Sequence, residues 1–199
     1  YSNSLTSGAS LMKLLNSGAW WNGTSGSYYN NSTTATNVNF TNYKLSDRTK
    51  SYITTSRYYL GGYENYLPIT NEMYGYERGT LRFDNNRPLY WDGMVGLMYP
   101  SDYGYAAGNT CVKGIPLDDY QEERCMNKNW LYNSNIRQWL MSPYSDNSIL
   151  VFYVNLSGSV IVNDDFGNGV DSVRPVFYLT SSTTITGGEG TSASPYILS

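Results

Sequence analysis

Histidine is absent from this 199-residue chain. That single absence removes much familiar chemistry, because histidine is the usual general base near neutral pH and a frequent metal ligand. A Ser-His-Asp triad, a Cys-His dyad and a His-bearing zinc site are all impossible within the chain. Charge is also scarce. Only 15% of residues are Asp, Glu, Lys or Arg, the net charge is −3, and no basic run stands out. A phosphate-tracking surface needs such a run, so nucleic acid is not an expected partner. No stretch reaches the roughly 18 consecutive apolar residues of a spanning helix, so this segment is not expected to insert into a membrane.

With so few charges, the surface must be carried by Ser, Thr, Asn, Gly and Tyr. Tyrosine alone accounts for 21 residues. Such a composition is common in secreted β-rich proteins and binding surfaces, where Tyr supplies contact area at low entropic cost. Cysteine is limited to Cys111 and Cys125. An even count in an export-like composition favours one disulfide over two buried thiols. It would close a loop of about 15 residues and stabilise by roughly 3 kcal/mol in the chain-entropy model. The intervening VKGIPLDDYQEER is polar and reads as a surface excursion.

Along the chain, Leu11, Leu14 and Leu15 have helical spacing over 9–16, and Gly18 marks a stop. Residues 20–37 read as a polar loop and 38–43 as a strand. Ser46 or Asp47 caps a second helix running to about Arg57. Residues 63–90 combine Tyr with Glu64, Glu72, Glu77, Arg78, Arg82, Asp84 and Arg87, which suggests ion pairs on a half-buried face. Residues 93–98 read as a buried strand, and a short helix follows Pro100. Lys128 to Met141 is the best helix candidate of the second half, with Trp130, Leu131, Ile136, Trp139 and Leu140 as its apolar side and Asn133–Asn135 as a possible break. After Pro143 the chain becomes strand-like, with Leu150–Asn155, Ser159–Asn163 and Arg174–Leu179 separated by Gly158 and by Gly167 and Gly169. The tail TGGEGTSASPYIL is a Gly turn and a closing strand. Helices come early and strands late, an α+β pattern in one domain spanning 1–199, with 1–45 read as an amino-terminal extension.

The stretch from Trp139 to Leu179 is the most informative. A frame of Trp139, Ser142 and Pro143 at one end and Val173 to Val176 with Tyr178 at the other brackets a filling rich in Ser, Asn, Asp and aromatics. This filling is poor in catalytic groups and suits a recognition surface on a rigid scaffold. The candidate ligand-binding residues are Tyr144, Asp146, Asn147, Ile149, Leu150, Phe152, Asn163, Asp164, Asp165, Phe166, Asn168 and Asp171. Aromatics would supply area, and Asn and Asp oriented hydrogen bonds. Strand alternation would send part of this set inward, with Phe152, Val154 and Val160 as core and Tyr153 and Asn155 outward, or the reverse. The oxygen-rich run Asn163 to Gly169 could hold Ca²⁺, but it lacks EF-hand spacing and has ordinary turn composition. No cofactor or metal is expected. Asp118, Asp119, Glu122 and Glu123 beside Arg124 read as a solvated face. Arg174 reads as structural, in a buried ion pair or frame hydrogen bonds. Trp20 and Trp21 could stack on sugar rings, but anchoring a loop to the core is the commoner role.

Trp139-Leu140-Met141-Ser142-Pro143, the central Ser157-Gly158 and Ser172-Val173-Arg174-Pro175 together resemble the carboxy-terminal region of C-type-lectin-like domains in bacterial surface and phage proteins. In some of these, diversity-generating retroelements rewrite that region. The chain departs from the family pattern at Ser172, where Gly is usual. Leu97 to Ala107 is similar to the Pro-capped helix of the same fold, which also occurs in formylglycine-generating enzymes. VNFTNYKLSDRTKSYI and NEMYGYERGT resemble exported proteins of gut Firmicutes that often carry a prepilin-type leader. The resemblance implies a C-type-lectin-like fold, with short helices around a small twisted antiparallel sheet. It implies a variable protein that acts in ligand binding and adhesion outside the cell, at the cell surface or on a phage particle. The ligand would be a protein or glycan on a host or neighbouring cell. A pilin-like structural subunit contacting other fibre subunits is the second expectation, and an enzyme related to the formylglycine-generating proteins the third. Their copper-binding cysteine pair lies near the carboxy terminus, whereas Cys111 and Cys125 precede the Val-Arg-Pro motif, so that activity is not carried over and no enzyme is expected.

Overall fold

The first helix, α1 (Ser10–Asn16), forms on the spacing that predicts it and buries Met12 and Leu15. Asn16 ends and anchors it. Its Oδ1 accepts the backbone N–H groups of Met94 (2.8 Å) and Val95 (2.9 Å), and its amide donates to the Val95 carbonyl (2.8 Å). This chain is seen in a computed structural model that describes residues 10–30, 34–79, 81, 88–145, 147, 150–164, 171–191 and 193–199, with the backbone alone at 28–30, 34–36 and 163–164.

Helix α2 (Ala19–Asn22) carries Trp20 and Trp21, both half-buried against the core, and Lys50 Nζ lies 4.8 Å from the Trp21 ring centre. These tryptophans anchor the segment. Where a polar loop is predicted over 20–37, strands β1 (Ser25–Asn30) and β2 (Thr34–Asn39) pair as an antiparallel hairpin. Ser46 caps α3 (Asp47–Ser51) by accepting the Thr49 N–H at 3.0 Å. The helix does not continue to Arg57. Ile53, Thr54 and Thr55 are β-branched and favour extended backbone, and the chain runs on as β3 (Ile53–Thr54) and β4 (Ser56–Tyr59).

Helix α4 (Thr70–Glu77) precedes β5 (Tyr90–Gly93), which pairs antiparallel with β4. The buried strand predicted over 93–98 is the short β6 (Gly96–Leu97). Helix α5 (Pro100–Ala106) starts with proline at its first turn, and the Asp102 carboxylate accepts the Tyr99 N–H at 2.9 Å. Beyond its other end, Lys113 donates to the carbonyls of Gly104 (2.8 Å) and Gly108 (2.6 Å), a favourable place for a cation. A 3₁₀ turn over Leu117–Gln121 leads into α6 (Glu123–Met126). Cys111 and Cys125 are disulfide-bonded. The loop they close is not a simple surface excursion, because Leu117 and Tyr120 within it are fully buried. Asp119, Glu122 and Glu123 do lie on the surface, and Arg124 pairs with Glu122.

The helix predicted over Lys128–Met141 is absent. Asn129 and Asn133 instead make side-chain turns, accepting the N–H groups of Leu131 (3.0 Å) and Asn135 (2.9 Å). The remainder extends into β7 (Gln138–Pro143). With β8 (Leu150–Val154) and β9 (Val160–Asp164) it forms an antiparallel sheet in the order β7-β8-β9. Between β8 and β9, Asn155 Oδ1 accepts the N–H groups of Ser157 (2.9 Å) and Ser159 (3.0 Å), while Gly158 sits at φ 89°. Four short strands close the chain: β10 (Pro175–Val176), β11 (Tyr178–Leu179), β12 (Ile185–Gly187) and β13 (Ile197–Leu198). They pair with β6, with β3, and with each other.

Two packed clusters make the core. One joins Met73, Tyr103, Leu117, Tyr120, the disulfide, Leu140 and Phe152. The other joins α1 to Tyr58, Val95, Leu97, Tyr99 and Met141. Short helices and small sheets together make the fold mixed α and β. Among the described residues, no helix is long and apolar enough to cross a membrane. The disulfide suits an oxidising compartment outside the cytoplasm.

Candidate functional site

Trp130 is the most exposed of the large hydrophobic residues on the described surface, with 77% of its area open. Its neighbours explain why. Asn129 and Leu131 are both buried, so the residue between them must point out. The Asn129 amide donates to the Tyr103 carbonyl of α5 at 2.9 Å, and its Oδ1 accepts the Leu131 N–H. On the far side the Leu131 carbonyl accepts from the buried Gln138 amide at 3.3 Å, and the Tyr132 hydroxyl donates to the Leu156 carbonyl at 2.8 Å. The backbone on both sides of this open indole is already fixed, so the loop needs little further ordering on meeting a ligand.

The indole borders an open groove of about 740 Å³. Its floor and walls come from α5 (Asp102, Tyr105, Ala106), from the end of α4 (Arg78) and from Arg174 to Tyr178. Tyr105 and Tyr178 keep 45% and 44% of their area exposed. Tyr178 is braced from behind by Tyr58, with ring centres 5.6 Å apart. Tyr74 meets Tyr105 edge-on at 5.8 Å. The rim is therefore aromatic on several sides.

The two guanidiniums of the groove differ. Arg78 donates to Asp102 Oδ1 at 3.0 Å, and its guanidinium lies 4.7 Å from the ring centre of Tyr74 and 5.3 Å from that of Tyr99. Its charge is thus balanced, and Asp102 and Tyr99 hold it in place. Arg174 is half-buried and has no hydrogen bond or ion pair among the described residues. Burial pushes its pKa below the ordinary arginine value. The backbone around it is pinned on both sides. Ser172 bridges to Gln138, its N–H donating to the Arg137 carbonyl at 2.7 Å and its carbonyl accepting from Trp139 at 3.1 Å, while Pro175 and Val176 pair with β6. The structural ion pair expected of Arg174 belongs instead to Arg137, 2.9 Å from Asp171.

Behind the groove, Glu77 is buried. Both its oxygens face the Ser101 N–H at 3.3 Å, and the Ser142 hydroxyl donates to Oε1 at 3.3 Å. Burial pushes this carboxyl up to about 8. On another face, the Tyr63 hydroxyl donates to Glu72, and burial together with that bond raises its pKa.

Of the residues predicted to bind ligand, the five whose side chains are described, Tyr144, Asn147, Leu150, Phe152 and Asp171, do not share an exposed surface. Tyr144 and Phe152 are core residues, with ring centres 6.2 Å apart, and Leu150 packs against the same cluster. Phe152 and Val154 of β8 point into the core with Val160 of β9, the inward of the two alternations expected, and Tyr144, just past β7, packs on Phe152. Tyr153, the outward alternative, is itself largely covered and lies 5.9 Å from Trp139. The Asp171 side chain is only 2% exposed and serves Arg137. Asn147 is half-buried. Asn163 and Asp164 lie on β9 with their backbone alone described, and Asp146, Ile149, Asp165, Phe166 and Asn168 lie outside the described residues, as does most of the oxygen-rich run considered for Ca²⁺. Arg82, Asp84 and Arg87 fall outside them too. Among the described residues no group of three or more acidic or cysteine side chains could hold a metal.

Trp130, Tyr105, Tyr178 and Arg78 are absent from the predicted set. The density of asparagines over 127–135 was the available signal for Trp130, since it favours turns and makes a continuous helix improbable there. The chain matches no protein-family model, no curated protein and no solved structure.

Proposed function

We propose that this chain is a non-enzymatic recognition module that works outside the cytoplasm, on a C-type-lectin-like scaffold, and that it holds its ligand in the groove beside Trp130. The observation that carries this reading is the exposed indole on a loop fixed by Asn129. Large exposed aromatics on rigid backbone, next to an arginine, are the usual anchors of binding sites. The scaffold assignment is supported by the frame motifs. Trp139 and Ser172, from opposite ends of the framed segment, are hydrogen-bonded neighbours, and Ser157-Gly158 forms the turn between β8 and β9. Such a frame holds its loops in place whatever side chains they carry. Among the described residues lining the groove, Asp102 is the only carboxylate and is occupied by Arg78, so the separated carboxylate pair of a glycosidase is not presented by them.

Display at a cell surface or on a phage particle, with a protein or glycan of a neighbouring cell as the ligand, belongs to the same proposal. A combined glycan and surface-protein array, probed with the protein and with its Trp130→Ala and Tyr178→Ala variants, tests it. The expected result is a bound class that both variants lose, with losses of roughly thirty-fold for Trp130→Ala, corresponding to about 2 kcal/mol for a hot-spot aromatic. Binding untouched by both substitutions would overturn it.

A second reading, as a structural fibre subunit, is favoured by the C-terminal hairpin, where Ile185, Tyr196 and Ile197 are all more than half exposed. Light scattering decides between them: a monomer at high concentration argues for the recognition module, and ordered oligomers lost on Ile197→Ser argue for the subunit.

A further inference from the structure

Charge within the groove is unequal, and this inequality selects a ligand class. Arg78 is already neutralised by Asp102 at 3.0 Å. Arg174 has no acidic partner among the described residues, although it is half-buried and its backbone is fixed on both sides by Ser172 and Pro175. A half-covered guanidinium carries a desolvation cost that a bound anion would offset. Its planar fork matches a carboxylate with two parallel hydrogen bonds. The rest of the groove is aromatic. Trp130 and Tyr178 offer flat faces of the kind on which the apolar side of a sugar ring packs, while Tyr105 supplies an exposed rim with a hydroxyl.

We infer that the groove binds an acidic saccharide, its ring against Trp130 and its carboxylate on Arg174. This rests on the recognition reading above and narrows it to one ligand chemistry. A neutral glycan would leave the guanidinium without a partner. An acidic peptide would supply the charge, but its flexible carboxylate side chain offers no rigid ring to pack on the indole. A nucleic acid would need several cations along its path, and the described residues of the groove offer one uncompensated arginine.

The experiment uses calorimetric titration with three probes: sialyllactose, a hyaluronan hexasaccharide and tri-galacturonate, each beside its methyl-esterified counterpart. Esterification removes the charge and keeps the ring. At least one acid should bind ten-fold or more tightly than its ester. Arg174→Gln should erase that preference, and Arg174→Lys, which keeps charge without the fork and guards against misfolding, should retain part of it. Trp130→Ala should lose acid and ester alike. Intrinsic fluorescence should change on acid binding in the parent and not in Trp130→Ala. Equal binding of acid and ester, still lost in Trp130→Ala, would overturn the acidic-ligand inference and leave the recognition groove standing. Failure of all three acids to bind, or a full preference for acid in Arg174→Gln, would also overturn it.

Discussion

The side-chain amide of Asn129 donates to the backbone carbonyl of Tyr103 at 2.9 Å, a bond between residues 26 positions apart that ties the loop bearing Trp130 to helix α5. One wall of the groove is thereby locked to another. Asn129→Ala leaves the Tyr103 carbonyl buried without this donor and frees the Leu131 N–H. A loss of about 1–3 kcal/mol is expected by urea denaturation, with a lower ¹⁵N order parameter at the assigned Trp130 amide.

Core and site should separate cleanly by substitution. Phe152 is fully buried, so Phe152→Ala is expected to cost about 3–5 kcal/mol. Trp130→Ala removes a larger ring, yet its effect on stability should stay within about 0.5 kcal/mol, because the indole is mostly open. Chemical denaturation of both variants checks the contrast, and a reversed order would mean that the roles of the two rings have been misassigned.

Glu77 makes stability depend on pH with an unusual sign. In the folded chain burial holds its carboxyl up to about 8, whereas an unfolded Glu titrates near 4.3. Between those values the unfolded state has released the proton and the folded state still holds it. The stabilisation is therefore fully present in acid and is lost as pH rises from about 4.5 through 8. Ser101 and Ser142 donate to this carboxylate, Asp102 disfavours its charge and Arg78 favours it. Glu77→Gln keeps an acceptor for Ser101 and Ser142 and removes the titration. Melting temperatures from pH 5 to pH 8 should fall in the parent and change less in the variant.

Both half-cystines sit within the larger core cluster. The Cys111→Ser/Cys125→Ser double variant should lose roughly 3 kcal/mol by the loop-entropy argument, and the parent should lose a similar amount in reductant. Denaturation with and without reductant measures both, and equal stability of the two forms would show that the crosslink is idle.

What could be read from sequence was mostly local. The Ser46 cap, the Pro100–Asp102 helix start, the turn at Ser157-Gly158 and the cysteine pairing all depend on chemistry within a few residues, or on there being one partner to choose. The helix expected over 128–141 was not legible. Its Trp and Leu spacing suits a helix, but Asn129 and Asn133 turn the backbone and the sheet claims residues from Gln138 onward. The same holds for the site. Trp130 and Leu131 carry one hydrophobic signal in sequence, and only the distant bond to Tyr103 decides that the first faces out and the second in. Tyr144 and Phe152 show the opposite case: the bracket around them is visible in the sequence, which allows Phe152 to face in or out, and only the packed sheet turns it, with Val154 and Val160, into the core. For Arg174 the sequence left a buried ion pair open, and only the folded chain shows that Asp171, three residues earlier, is engaged by Arg137.

The location of binding is tested most directly by titrating the ¹⁵N-labelled protein with the tightest of the three acidic probes and mapping its amide and indole shifts. The largest changes should fall at the Trp130 indole, at 129–132, along 102–106 and over 174–178. Shifts confined to 144–171, or to the hairpin at 185–198, would contradict the account.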